Sequence, residues 1–164
     1  MFRFILTTVL LAACICMNAA TPEGRLFRFE RSTNRNYICY DVREEKGLLD
    51  MKEPIHVYWI RAEEDGSQKE LSFVQRKLAF GYKVISRGKN EVNIHLTAYN
   101  KLVIRICNRG GKWVALTTIN GKEALLTKLF AQMKSPNSLH VVHVDVYGRD
   151  SVTGAAVKER IMNE

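Results

Sequence analysis

The stretch WVALTTINGKEALLTKLFAQ, residues 113–132, decides the fold class of this chain. An Asn-Gly pair at 120–121 separates two runs rich in apolar and β-branched residues. A type I′ turn needs a positive φ at both central positions, and Asn-Gly adopts it readily. The stretch therefore predicts a β-hairpin, although the apolar residues of 122–132 would also fit one face of a helix.

Alternation of apolar and polar residues continues this pattern through most of the chain. Val92, Ile94 and Leu96 alternate with Glu91, Asn93 and His95, which is typical of a strand with one face in water. Runs of the same kind occupy residues 38–43, 102–107 and 139–147, and residues 113–119 precede the Asn-Gly turn. Residues 55–60 are β-branched and aromatic on both faces, which suits a more central strand. Because short turns separate several of them, we predict a mainly β fold, an antiparallel β-sandwich or barrel.

One segment has a helical period instead. In residues 69–79, Leu71, Val74 and Leu78 recur at a spacing that fits one face of a helix, and Gly81 could end it. We therefore predict one short helix packed on one end of the sheet, and an α+β fold is the alternative.

Composition and charge narrow the class of protein. The chain has 164 residues, of which 46% are hydrophobic and 26% charged, as in ordinary globular domains rather than disordered or coiled-coil chains. The formal net charge is +8, and residues 69–134 carry 13 basic and 3 acidic side chains, a net of +10. Such a region attracts anionic partners, or it serves solubility alone.

The first twenty residues resemble an export signal. Arg3 precedes an apolar run that is too short to cross a bilayer, and small residues follow near Ala20. We therefore expect a signal peptide over 1–20, and a single β-rich domain over 21–164. A buried N-terminal helix is the less favoured alternative.

A lipoprotein signal is the competing interpretation of the same stretch. Residues 11–14 read Leu-Ala-Ala-Cys, which resembles a lipobox, so residues 1–13 would be removed and Cys14 acylated. A lipid anchor would then hold the protein to a membrane. Both alternatives place the chain outside the cytoplasm, in the periplasm or at the outer membrane of the cell envelope.

Two cysteines, Cys39 and Cys107, lie in the expected domain. An extracytoplasmic location permits a disulfide between them. Two free, partly buried thiols are the favoured alternative, since alternation places both opposite the aliphatic side of their strands.

Four blocks of sequence together resemble an uncharacterised family of secreted bacterial proteins of the Bacteroides type, domain of unknown function 4833. The blocks are residues 29–36 with 40–41, 54–61, 70–73 with 76–81, and 116–124. The resemblance implies an exported, single-domain envelope protein, and it implies no activity or catalytic residue.

Few residues are candidates for catalysis. His143 and Asp145 share one side of a predicted strand, where a carboxylate could orient an imidazole as an acid–base pair. The simpler interpretation is two polar residues on a wet strand face. Neither a metal site nor a cofactor is predicted, because the histidines lack converging ligands and no phosphate-binding glycine loop is present.

Candidate binding residues come from a polar loop and from the basic region. Loop residues often carry recognition, although a merely solvated loop has the same composition. The candidates are Arg31, Asn34, Arg35, Asn36, Arg76, Lys77, Lys83 and Arg105.

These features favour a non-catalytic binding domain over an enzyme. Its expected partner is an anionic lipid, lipopolysaccharide or an acidic polysaccharide, and not a nucleic acid, given the expected location. An envelope hydrolase using the His/Asp pair and a structural or assembly subunit are the alternatives.

Overall fold

The computed structural model describes residues 23–137 and 140–163. The expected signal peptide, the lipobox and Cys14 therefore lie outside the described residues. The strands of the described part are β1 (Arg25–Arg31), β2 (Asn34–Val42), β3 (Glu44–Glu45), β4 (Leu48–Leu49), β5 (Ile55–Ile60), β6 (Gln68–Glu70), β7 (Tyr82–Gly88), β8 (Glu91–Leu96), β9 (Tyr99–Arg109), β10 (Lys112–Ile119), β11 (Lys122–Met133), β12 (Val141–Asp150) and β13 (Ala156–Met162).

The predicted mainly β fold with one short helix is confirmed as a large curled, mixed sheet. Its order is β6-β5-β2-β1-β11-β10-β9-β8-β7, with β12 on β11 and β13 on β12, and β3 and β4 form a separate hairpin. The pairing of β1 with β11 is parallel, whereas the other pairs are antiparallel. A parallel pair needs a long connection, which the intervening strands supply.

The hairpin of residues 113–132 is also confirmed. Asn120 has φ 51° and Gly121 has φ 76°, the two positive values that a type I′ turn requires. Leu116 on β10 lies opposite Leu125 on β11. Residues 122–132 are therefore a strand and not a helix.

Strand β11 divides the sheet into two wings. One of its edges pairs with β12 from Ala124 to Met133. Its other edge pairs first with β10 and then, beyond an irregularity at Thr127, with β1. The first wing is β1, β2, β5 and β6, and the second wing is β7 to β10.

The inner faces of the two wings share one core. Large side chains that are fully buried come from both wings and from β11, namely Phe27, Ile38, Tyr40, Ile55, Val57, Val92, Ile94, Ile104, Ile106 and Leu129. At the far edges the wings meet, because the Tyr82 hydroxyl donates to the Ile55 carbonyl at 3.2 Å. The curled sheet therefore encloses an apolar interior between its wings.

The helix is shorter than predicted and faces the other way. It comprises α1 (Phe73–Gln75) and a π-helical turn (Arg76–Phe80), and residues 68–70 belong to β6 instead. Val74 and Leu78, predicted on a packed stripe, are 61% and 67% exposed. Leu71, the third residue of the predicted stripe, is buried but precedes the helix, so the three do not share one helix face. Ala79 and Phe80 face the protein instead.

Candidate functional site

An apolar pocket of about 160 Å³ lies between the wings, below the π-helical turn. Most of its wall comes from β1, β8, β11 and β12 and from the chain around Phe80. The lining residues are Phe29, Arg31, Tyr40, Ala79, Phe80, Leu96, Ala98, Tyr99, Ala131, Met133, Val141, Val144 and Asn163.

Arg31 is the charged residue of this pocket. It is the last residue of β1, on the same face as Phe27 and Phe29, so its side chain runs inward. The guanidinium carbon lies 5.3 Å from the ring centroid of Trp59 and 5.4 Å from that of Phe80. Two aromatic rings therefore hold the cation at the pocket wall.

No carboxylate of the described residues neutralises Arg31. Burial alone lowers the pKa of its guanidinium from the ordinary value. The group nevertheless keeps its charge at neutral pH, because arginine is not deprotonated in proteins. A desolvated cation without an anion is costly, so this position favours an anion from outside the chain.

Buried polar atoms without a partner gather near the same place. In the described part of the chain they are Arg31 Nε, Asn34 Oδ1, Trp59 Nε1 and the Tyr99 hydroxyl. Three of these four groups can donate a hydrogen bond. Burial raises the pKa of Tyr99, so its hydroxyl stays protonated at neutral pH. A ligand rich in acceptors would satisfy the three donors.

Phe80 connects the π-helical turn to the pocket. Its ring packs edge-on against Trp59 at 5.1 Å between centroids and lies 5.8 Å from the ring of Phe29. The Tyr40 hydroxyl donates to the Phe80 carbonyl oxygen at 2.8 Å. The turn is thus fastened from inside the pocket.

The polar loop predicted for binding is a two-residue turn, residues 32–33, and its other members belong to β1 and β2. The Arg35 amide donates to the Glu63 carboxylate at 2.9 Å, and the Glu63 amide donates to Asn36 Oδ1 at 3.0 Å. Asn34 lies opposite Arg31 across the β1–β2 hairpin. The structure therefore brings Asn34 to Arg31, whereas Arg35 and Asn36 join the start of β2 to the segment around Glu63.

The remaining predicted binding residues do not converge on the pocket. Arg76 pairs with Glu53 at 3.0 Å, and it shares a shallow surface groove with Lys83. Lys77 lies over the ring of Phe73 at 5.5 Å. Arg105 pairs with Glu123 at 2.6 Å on a different part of the surface.

The predicted pair of His143 and Asp145 lies on the outer face of β12. Their closest nitrogen–oxygen distance is 3.8 Å, longer than a hydrogen bond. The buried Asp145 carboxylate instead accepts from Arg160 at 2.7 and 3.0 Å and pairs with Lys158 at 2.9 Å. Arg160 and Lys158 hold the pKa of Asp145 well below its usual range. We call these four residues the outer cluster.

Cys39 and Cys107 are free thiols, which excludes the disulfide in this structure. They lie on β2 and β9, with β1, β11 and β10 between them. A disulfide needs Cα atoms within about 7 Å, less than four strand spacings along a sheet. Burial raises the pKa of Cys39 to about 11, so this thiol is unreactive at neutral pH.

Sequence reasoning named Arg31 and Asn34 but missed Trp59, Phe80 and Tyr99. The alternation that puts Arg31 on the same side as Phe29, two residues earlier, could have indicated an inward arginine, but it does not point to the aromatic residues around it.

The remaining findings concern membrane spans and the comparison with known proteins. The described residues contain no helix of sufficient length and apolarity to cross a membrane. No curated protein and no solved structure was found to match the chain. A family model does match, described as domain of unknown function 4833, and it spans residues 27–160, which include nearly the whole sheet and the pocket residues up to Val144. The chain therefore belongs to the domain of unknown function 4833 family.

Proposed function

We propose that this protein is a non-catalytic binding domain whose pocket takes a small organic anion. The carboxylate of the ligand contacts Arg31, and its apolar part fills the space between the wings. The observation that carries the proposal is Arg31 itself, a cation between two aromatic rings with no carboxylate beside it among the described residues.

The size of the pocket limits the ligand. A cavity of about 150 Å³ holds benzene, and this pocket measures about 160 Å³. An aromatic or short aliphatic monocarboxylate, such as benzoate or hexanoate, therefore suits it. The apolar lining disfavours sugars and inorganic phosphate, which have no apolar part to bury.

Export from the cytoplasm is part of the same proposal. The apolar run before Ala20 and the lipobox-like residues before Cys14 support it. A cell-envelope domain of this kind would meet organic acids or lipid-derived anions from outside the cell.

Binding can be measured from the fluorescence of Trp59. The chain has two tryptophans, and Trp113→Phe leaves Trp59, which touches both Arg31 and Phe80, as the reporter. We expect benzoate to change its emission saturably, with a Kd on the order of 0.1–1 mM for so small a ligand. The neutral isostere benzamide should bind at least tenfold more weakly.

Substitution of the arginine tests the site directly. Arg31→Met should weaken benzoate binding tenfold or more, because a charge-assisted hydrogen bond contributes about 1.5–3 kcal/mol. The matched control is Arg105→Met, since Arg105 lies on another surface and its partner Glu123 keeps Arg109. Equal affinity of Arg31→Met and the parent chain, or the absence of saturable binding up to 10 mM benzoate (about ten times the weakest expected Kd), would refute the proposal.

A further inference from the structure

The residues just before the pocket wall expose three large apolar side chains. Phe73 is 75% exposed, Val74 61% and Leu78 67%. They belong to one short stretch, residues 73–78, which we call the exposed segment. Large apolar side chains clustered on a surface mark a site of contact with a protein or a membrane.

These side chains share one face of the segment. Residues four to five apart lie on the same side of this mixed α- and π-helical segment, which places Leu78 beside Val74 and Lys77 beside Phe73. The Lys77 ammonium lies 5.5 Å from the ring centroid of Phe73, as this arrangement requires. Apolar groups and a cation therefore point in the same direction.

The exposed segment is held firmly from behind. The Ser72 hydroxyl accepts from the Gln75 amide at 3.2 Å, and the Gln75 side chain accepts from the Ser72 amide at 3.0 Å. Arg76 pairs with Glu53 at 3.0 Å, and Phe80 is packed in the pocket. The exposure of the apolar face is thus built into the fold, because its inner face is already anchored.

The surroundings of the segment are strongly basic. Residues 71–90 contain five basic and no acidic side chains. Arg76 forms ion pairs with Glu53 and Glu70. The other four basic residues form no ion pair with any residue of 23–137 or 140–163, namely Lys77, Lys83, Arg87 and Lys89. On β7, Ile85 is 50% exposed between Lys83 and Arg87, so exposed apolar and basic side chains also lie together on this strand.

We propose that the exposed segment docks onto an anionic lipid surface. Phe73, Val74 and Leu78 enter the interface between headgroups and acyl chains, and the unpaired lysines and arginine contact the headgroups. An apolar face combined with basic residues suits an anionic bilayer, where hydrophobic burial and electrostatic attraction add. A neutral protein partner would leave the four unpaired cations without counter-charges.

The inference is independent of the anion pocket. Arg31 lies against the Phe80 ring at the pocket wall and is not part of the exposed segment. Arg31→Met should therefore leave vesicle binding unchanged, so the two proposals can fail separately.

A local fluorescent reporter tests the docking in the full chain. Phe73→Trp places a tryptophan on the exposed segment, and quenching by brominated phosphatidylcholine reports insertion at that site alone. The matched control is Val152→Trp, because Val152 is 91% exposed on the β12–β13 turn, outside the basic region. Vesicles contain phosphatidylglycerol and phosphatidylcholine, or phosphatidylcholine only.

We expect brominated lipid to quench Phe73→Trp in anionic vesicles at least threefold more than Val152→Trp, relative to the unsubstituted chain. Combining Val74→Ser with Leu78→Ser should abolish this excess. Lys77→Gln and Lys83→Gln should each weaken binding about fivefold at low salt, and high salt should remove that difference.

Two results would overturn the inference. One is equal quenching of the two reporters in anionic vesicles. The other is a blue shift of Phe73→Trp that depends on protein concentration and not on lipid, since that would assign the exposed segment to contact between copies of the chain.

Discussion

The charged groups on the two sides of strand β12 differ in whether they have a partner of opposite charge. Val144 faces the pocket, where Arg31 has no anionic partner among the described residues, and Asp145 faces outward into the outer cluster. Asp145 is surrounded by cations of its own chain, so its charge is satisfied internally and serves the fold. The charge of Arg31 is satisfied by aromatic rings alone, and this leaves it available to a ligand. A paired buried charge is thus weak evidence for function, whereas an unpaired one marks a candidate binding site.

The largest expected effect comes from Gly81, the residue at the end of the π-helical turn that carries Phe80. A Cβ at this residue would overlap the backbone carbonyl of Arg76, so Gly81→Ala must displace the π-helical turn and Phe80 with it. We expect a loss of about 2–3 kcal/mol in the free energy of unfolding, as for overpacked sites, together with loss of benzoate binding. Urea denaturation and the Trp59 titration measure the two effects.

Gly66→Ala is the control for Gly81→Ala. Gly66 lies in open space with φ 71°, so the added methyl meets no other atom. Only the backbone strain of a left-handed residue remains, about 1 kcal/mol, and anion binding should be unchanged. A stable Gly81→Ala protein with intact binding would contradict the role given to this turn.

An intermediate effect is expected at the outer cluster. Asp145→Asn removes the anion that Arg160 and Lys158 share, which should cost about 1–2 kcal/mol after allowance for the solvent around both cations. Anion binding in the pocket should not change, because Asp145 lies on the opposite face. If Asp145→Asn instead abolished benzoate binding without a loss of stability, the two faces would not be independent.

The pH dependence of stability should follow from the same carboxylate. The pKa of Asp145 is lower in the folded protein than in the unfolded chain, so its contribution is complete above the unfolded value of about 3.9. The contribution decreases as the pH falls toward the folded pKa. The difference in stability between Asp145→Asn and the parent chain should therefore be constant from pH 7 to about pH 5 and shrink below it, as acid titration of the unfolding free energy would show.

The smallest expected effect on stability belongs to Arg31. Arg31→Met removes a desolvated charge and two cation–π contacts, which are opposing terms of similar size. We expect the free energy of unfolding to stay within about 1 kcal/mol of the parent value, in contrast to the loss at Asp145. A larger loss in thermal or urea denaturation would mean that Arg31 serves the fold, and the comparison between the two faces would no longer hold.

Much of the fold could be predicted because its signals are local. Alternation of apolar residues gives the face of each strand, and the Asn-Gly pair gives the turn at 120–121. The direction of the exposed segment could not be predicted in this way. Val74 and Leu78 have a helical period whether the helix packs inward or faces water, and only the packing of Phe80 decides between them.

The candidate site was predictable in part for the same reason. Arg31 was named as a candidate from a polar loop, and the alternation of residues 27–31 could have placed it inward. Its neighbours Trp59 and Phe80, however, are 28 and 49 residues away along the chain. Likewise, Asp145 was visible beside His143, yet its actual partners Lys158 and Arg160 come from the adjacent strand β13. Pairing across strands depends on register, which a single strand does not specify.

The sequence by itself determined the mainly β architecture, the alternation that puts Arg31 on the same side as Phe27 and Phe29, and the basic character of residues 69–134. These depend on backbone preference and on residue period, which act over a few neighbouring positions. Only the tertiary structure decided that Arg31 has no carboxylate beside it among the described residues, whereas Asp145 has several cations. Whether a charge is satisfied depends on which distant strands become neighbours, because electrostatic and hydrogen-bond contacts act through space and not along the chain.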